Sequence, residues 1–195
     1  MSRHVRGTLF ADYVRMIRHR KEVDWSRYLS SDDLAYIALR TQQDDWYPMS
    51  VFERLGNAIL AHDTSVTLDA VRWWGQLSVG LVTKRHPELI APGDPRESLM
   101  RLKVLRATLF DFPAFDIPDL SDGQARVAMG YQMGPLAEEA ASLQSLGFCE
   151  GVIALAGGID VTARFRERAW SGAAKTLLDL QWEEPAQRDE RPARR

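Results

Sequence analysis

Apolar residues along the chain keep two different spacings, and the change falls near Phe112. Up to that point they recur every three or four residues, the period of a helix with one covered face. Leu9, Phe10, Tyr13, Val14 and Ile17 predict a first helix to about His19, capped by Thr8. Trp25, Tyr28 and Leu29 follow as an anchoring turn. A short helix begins at Ser31 in SDDLAYIAL, with acidic residues where the helix dipole favours them, and ends near Arg40. Pro48 pushes the residue before it out of helical geometry. Ser50 then caps a third helix through Val51, Phe52, Leu55, Ile59 and Leu60. Thr67 opens the longest helix of this half, Leu68 to Arg85. Two neighbouring stripes are apolar there: Val66, Ala70, Trp73, Leu77, Leu81, and beside it Val71, Gly75, Ser78, Val82. So wide an arc predicts packing on two sides. Pro87 and the APGDP turn close it, and Arg96 to Phe110 carries Leu99, Leu102, Leu105 and Leu109 in line.

Beyond Phe112 the period becomes two. Val127, Met129, Tyr131 and Met133 share one face of a strand, opposite Ala128, Gly130 and Gln132. Val161, Ala163 and Phe165 oppose Thr162, Arg164, Arg166 and Arg168; Thr176, Leu178, Leu180 and Trp182 oppose Leu177, Asp179 and Gln181. Alternation with one polar side is the pattern of an antiparallel sheet covered on one face. FPAFDIP supplies the remaining strand, and Asp122-Gly123 is a hairpin turn signal. Between the strand pairs lies one helix, Pro135 to Ala156, stopped by Gly157-Gly158. Leu136, Ala140, Leu143, Gly147, Gly151 and Ala154 recur along one face of it, small enough for the close approach of a helix on a sheet. The predicted class is therefore α+β: about five N-terminal helices packed on a four-stranded antiparallel sheet, with a strand–strand–helix–strand–strand C-terminal part. Residues 1–183 read as a single domain, helical over 1–111 and sheet plus helix over 112–183. Residues 184–195, with no large apolar side chain, read as a disordered tail.

Composition narrows the function classes. The formal net charge of -2 argues against a large nucleic-acid or anionic-membrane surface. The single cysteine, Cys149, excludes an internal disulfide. The chain has no long uncharged apolar run for a membrane span, and its charged N-terminus is unlike a signal peptide. The expectation is a cytoplasmic protein.

Candidate chemistry is sparse. His4, His19, His62 and His86 sit near helix ends or the N-terminus and make no pair at metal-ligand spacing. Cys149 stands among small residues and reads as a buried thiol. Asp32-Asp33, Asp44-Asp45 and Glu138-Glu139 are adjacent in sequence, and neighbours on a helix do not face one another. Arg164, Arg166 and Arg168 read as a solvated sheet face. Trp25, Trp46, Trp73 and Trp74 are core or pocket walls. No glycine-rich phosphate loop and no nucleophile elbow is present, so the expectation is no enzyme.

Several local motifs resemble one superfamily. Arg6-Gly7-Thr8 running into the first helix is similar to the K-G-T opening of haem–nitric-oxide-binding (H-NOX) domains. Trp46-Tyr47-Pro48 followed by Phe52 and Leu55 resembles their Y-P-x-x-x-F motif. Val71-Arg72-Trp73-Trp74-Gly75, with Pro87-Glu88-Leu89 beyond the helix, looks like a third match. Ala128-Met129-Gly130-Tyr131 resembles the strand that carries their Y-x-S-x-R haem signature. The likeness spans about Val5 to Trp182. It extends to haem-free relatives: vinyl-reductase-type ligand-binding domains, the small subunits of the transport-particle (TRAPP) complex, and a set of myxobacterial paralogues.

The departures bear on the cofactor. The resemblance places the axial histidine on the helix before the sheet, but LMRLKVLRATL there has none. The Ser and Arg of Y-x-S-x-R fall on Met133 and Pro135. Haem iron needs a strong axial donor, so the haem-free branch is the better guide and no cofactor is expected. It implies a sensory or regulatory module with a small hydrophobic ligand between helices and sheet, lined by Trp73, Leu77, Leu102, Leu105, Tyr131, Met133 and Phe148. A homodimer or protein partner would receive the signal. A ligand-free dimeric scaffold is the alternative, and an atypical haem sensor using Cys149 or a displaced histidine the second.

Overall fold

The protein's structure, a computed structural model, describes residues 2–62 and 67–184. Val66 of the predicted stripe and the tail 185–195 lie outside the described residues. The chain opens with a pairing that hydrophobic spacing does not announce. Strand β1 (His4–Arg6) runs antiparallel to β2 (Trp46–Pro48), with Val5 opposite Tyr47. Arg6 lies over the Trp46 ring at 4.0 Å, and Phe10 stacks on Tyr47 at 4.3 Å. A Cβ on Gly7 would meet the Gln42 carbonyl oxygen at 1.8 Å, so only glycine admits that loop. Two distant sequence motifs, Arg-Gly-Thr and Trp-Tyr-Pro, are thus two halves of one contact.

Helix α1 (Gly7–His19) follows directly. Extended Arg6 sits at its N-cap with no side-chain capping bond, so Thr8 does not cap it as expected. Helix α2 (Ser31–Ala38) is capped one residue earlier than its first position, by a Ser30/Asp33 capping box. Helix α3 (Met49–His62) starts straight after Pro48, ahead of the predicted Ser50 cap. Thr67 does cap α4 (Leu68–Thr83) by accepting from the Ala70 N–H. Helix α5 (Pro95–Ala107) is capped by Asp94, and it buries Leu99 and Leu102.

The sheet holds β3 (Phe115–Ser121), β4 (Gln124–Met129), β5 (Ile159–Glu167) and β6 (Thr176–Glu183) in the order β3-β4-β6-β5, all antiparallel. The alternation holds as predicted. Ala125, Val127 and Met129 and then Thr176, Leu178, Leu180 and Trp182 are buried on one face. On the other, Asp179 pairs with Arg126 at 2.8 Å and Arg166 at 2.6 Å. The arginine ridge is therefore a solvated face with its own carboxylate. Strand β4 ends sooner than the alternation implies, because Gln132 takes a φ of 54° and turns the chain into α6 (Pro135–Leu155).

Helix α6 is where packing departs most from the period. Its small-residue face does not lie on the sheet. Its most extensive neighbour is α4, and the two backbones touch. A Cβ on Gly147 would stand 1.9 Å from the Arg72 carbonyl oxygen, and one on Gly75 would stand 2.1 Å from that of Gln144. The sheet side of α6 is instead Leu146, Cys149, Val152 and Ile153, buried in a core shared by helices and strands. Arg72 and Gln76 of α4 both donate to the buried Glu150 carboxylate, which pins the crossing.

The prediction that α4 packs on two sides is overturned. Only Gly75 and Val79 are buried along it. Trp73 is 60 % exposed, Leu77 48 % and Leu81 56 %. One side of the apolar arc meets α6; the other, along Trp73, Leu77 and Leu81, stands largely exposed.

Candidate functional site

A cavity of about 240 Å³ adjoins that exposed side. Tyr13 and Met16 of α1, Phe52, Gly56 and Ile59 of α3, and Ala137 and Ala140 of α6 form three of its walls. The fourth wall is Ala70, Val71, Trp73 and Trp74 of α4, and Met133 of the turn before α6 closes one end. No strand lines it. The expected position between helices and sheet is replaced by one among four helices, because the space under the sheet is filled by core side chains.

The positions expected to line a pocket divide accordingly. Trp73 and Met133 do line the cavity. Leu77 lies one turn along α4, on the exposed stripe. Leu102 is fully in the core, while Leu105 and Phe148 pack partly buried against it. Tyr131 is buried, its hydroxyl within 2.6 Å of Ser145 Oγ and accepting from Arg106 Nη2 at 2.9 Å. Sequence reasoning misses Tyr13, Phe52 and Glu53, although Tyr13 and Phe52 fall in line on their helices. Nothing in the spacing says that α1 and α3 converge on α4; only the fold does.

The cavity's polar features are few. Tyr13 stacks on Phe52 with ring centroids 4.4 Å apart and planes within 4°. Burial, with Tyr131 and Asp12 nearby, pushes the Tyr13 phenol up to about 12, so it stays neutral. Glu53 Oε1 accepts the Gly134 N–H at 2.7 Å. Beside it, Glu138 is 2 % exposed and accepts the N–H groups of Tyr131 and Met133 at 2.9 and 3.0 Å. Two carboxylates therefore occupy the backbone donors of the β4–α6 turn.

Those residues do not fit haem. No histidine lines the cavity. His4 is paired with Asp111 and His86 with Glu88, while His62 packs edge-on to Trp25 and Tyr28. Cys149 lies buried in the core, where its thiol is pushed up to about 12, and it is not among the residues that line the cavity. On α5, Arg106 donates to the Tyr131 hydroxyl and to Ser145 Oγ. Among the described residues no cluster of His, Cys, Asp or Glu is arranged to hold a metal ion, and no helix is long and apolar enough to cross a membrane.

Helices leading into a four-stranded antiparallel sheet interrupted by α6 define an H-NOX-like fold. The structure is similar over 93 % of its length to 98 % of an Fe(II) unliganded H-NOX protein from K. algicida, at 12 % identity and a TM-score of 0.64. It also resembles an H-NOX protein from S. oneidensis in the Fe(II)NO state (92 % of this chain, 99 % of that one, 11 % identity, TM-score 0.58). A mutant of T. tengcongensis H-NOX aligns over 93 % of this chain and 99 % of its own at 10 % identity, with a TM-score of 0.57. No protein-family model and no curated protein matches the chain. The fold is shared; the residues are largely not.

Proposed function

We propose that the protein is a haem-free, non-enzymatic sensory or regulatory module that takes a small hydrophobic ligand into the four-helix cavity and reports its presence to a protein partner. The observation that carries this reading is α4. Its sequence has an apolar arc wide enough for two partners, the fold supplies one, and a cavity lies at the other. A dry apolar cavity of about 150 Å³ is already enough to take up benzene in another protein. The roughly 240 Å³ here suits a ligand of about ten heavy atoms, far short of a porphyrin. Walls that converge from α1, α3, α4 and α6 allow occupancy to alter how α4 sits, and α4 presents its exposed stripe to solvent.

Binding to the folded state alone stabilises it by mass action, about 2.7 kcal/mol at a hundredfold excess over Kd. For a chain of this size that raises Tm by roughly 5–10 °C. Thermal shift across small hydrophobic compounds, with native mass spectrometry of the hits, tests the reading. A clean apo mass with no shift from any compound defeats it. Haem reconstitution followed by an absorbance spectrum tests the haem-free part: no Soret band is expected, and a stoichiometric one overturns it.

A second reading rests on the stripe Trp73, Leu77 and Leu81, whose exposure is that of a surface normally covered by another protein. On it the chain is a dimeric scaffold. Sedimentation of the wild type and of Leu77→Glu separates the two: a dimer that the substitution dissociates, with no ligand response in either protein, favours the scaffold.

A further inference from the structure

Resting on the ligand-binding reading, we propose that the cavity selects ligands bearing a positive charge, of the alkylammonium or quaternary ammonium class, and rejects carboxylates of the same size. Four aromatic side chains, Tyr13, Phe52, Trp73 and Trp74, line one space. Aromatic faces carry negative charge density and attract a cation that has shed its water. The one acidic side chain among the described lining residues is Glu53, and no lysine, arginine or histidine joins it. The nearest cation in sequence, Arg54, senses the Glu53 charge but spends its Nη2 and Nε on Asp33 at 2.7–3.0 Å.

Glu53 is also held in place. Its Oε1 accepts the Gly134 N–H, which fixes the carboxylate on the cavity wall before any ligand arrives. A preorganised charge recovers more of its interaction than a floating one. The other polar groups of the described lining residues, the Gln144 amide, the neutral Tyr13 hydroxyl and the indole N–H groups, carry no charge. A fatty acid would thus bring its carboxylate to a wall with a like charge and no counter-ion. An ammonium ligand of the same length would find both a carboxylate and ring faces.

Three probes of matched size test this on the intact protein: benzyltrimethylammonium, its neutral isostere neopentylbenzene, and 3-phenylpropionate. Titration calorimetry and tryptophan fluorescence should rank them cation, neutral, anion, with the cation at least tenfold tighter than the neutral probe. Glu53→Gln keeps an oxygen for the Gly134 N–H, so it should leave Tm near wild type and cut the cation's advantage at least threefold. Trp73→Ala, at a largely exposed ring, should cut it as well and guards against a misfolded Glu53 variant. Equal affinity for all three probes, or tightest binding by 3-phenylpropionate, overturns the charge selection while leaving the cavity as a ligand site. Binding of none overturns both.

Discussion

Substituting Gly147 by alanine tests whether the α4–α6 contact organises the molecule. The new Cβ would stand 1.9 Å from the Arg72 carbonyl oxygen, 2.8 Å from its carbon and 3.2 Å from the Gln76 nitrogen. A carbon–oxygen contact settles at roughly 3.3 Å, so the helices must part by about 1.4 Å. A gap of even 0.5–1 Å forfeits a quarter to a half of each dispersion contact, and here the opposing atoms are backbone, which cannot rotate away. Overpacking of this kind costs about 1–3 kcal/mol, and separation also strains the Arg72–Glu150–Gln76 cluster. Alanine favours a helix interior over glycine by about 1 kcal/mol, which leaves a loss of up to about 2 kcal/mol from overpacking, or up to some 8 °C in Tm, and the strain on the cluster adds to it. Gly80→Ala on α4 is the control, because nothing lies within 4 Å of its Cβ. It receives the same helix benefit and should be more stable by about 0.5–1 kcal/mol. Urea unfolding of both variants measures the difference directly. Gly147→Ala at or above wild-type stability, with native circular dichroism, refutes the close-contact account.

Three further outcomes are expected. Arg72→Met leaves the buried Glu150 charge with only the Gln76 amide, and should cost more than Glu150→Gln, by about 1–2 kcal/mol given the half-exposed arginine; equal losses would show that the charge is already hydrated. Burial raises the Asp33 carboxyl, but hydrogen bonds from Arg54 and Ser30 outweigh it and hold it below its ordinary 3.8. The folded state therefore binds fewer protons than the unfolded one, so this stability is full above about pH 4 and is lost as pH falls through the depressed folded value. Asp33→Asn should flatten the acid limb of a plot of urea midpoint against pH between about 2 and 6, and an unchanged slope would exclude the pair as its source. With its thiol pushed up by burial, Cys149 should resist thiol reagents at about pH 8 in the native protein and react stoichiometrically in denaturant; rapid native modification would place it at the surface.

Sequence and structure part company at particular elements. Period two over β4, β5 and β6 is legible because each strand has one covered face, and a pleat has no other way to express that. The helices are legible for the matching reason, although their first residues are not. Thr8 and Ser50 look like caps, yet strands β1 and β2 run straight into α1 and α3, so a strand residue, Arg6, takes the N-cap of α1. Much of the expected lining belongs to the core, since a leucine in line on α5 reads the same whether a cavity or a neighbour faces it. Tyr13 and Phe52 are invisible as a site because their partners lie on α4 and α6, many residues away.

Local period and side-chain size are enough to set the order of elements, the antiparallel sheet and the small-residue face of α6. They also mark α4 as a helix with two apolar faces. Which surface each face meets is a matter of tertiary packing, and no local signal contains it. Gly147 and Gly75 bring α6 onto α4 and not onto the sheet, because backbone contact needs a glycine on each helix at the crossing. That choice leaves the second face of α4 bordering an open cavity, and the candidate site follows from it.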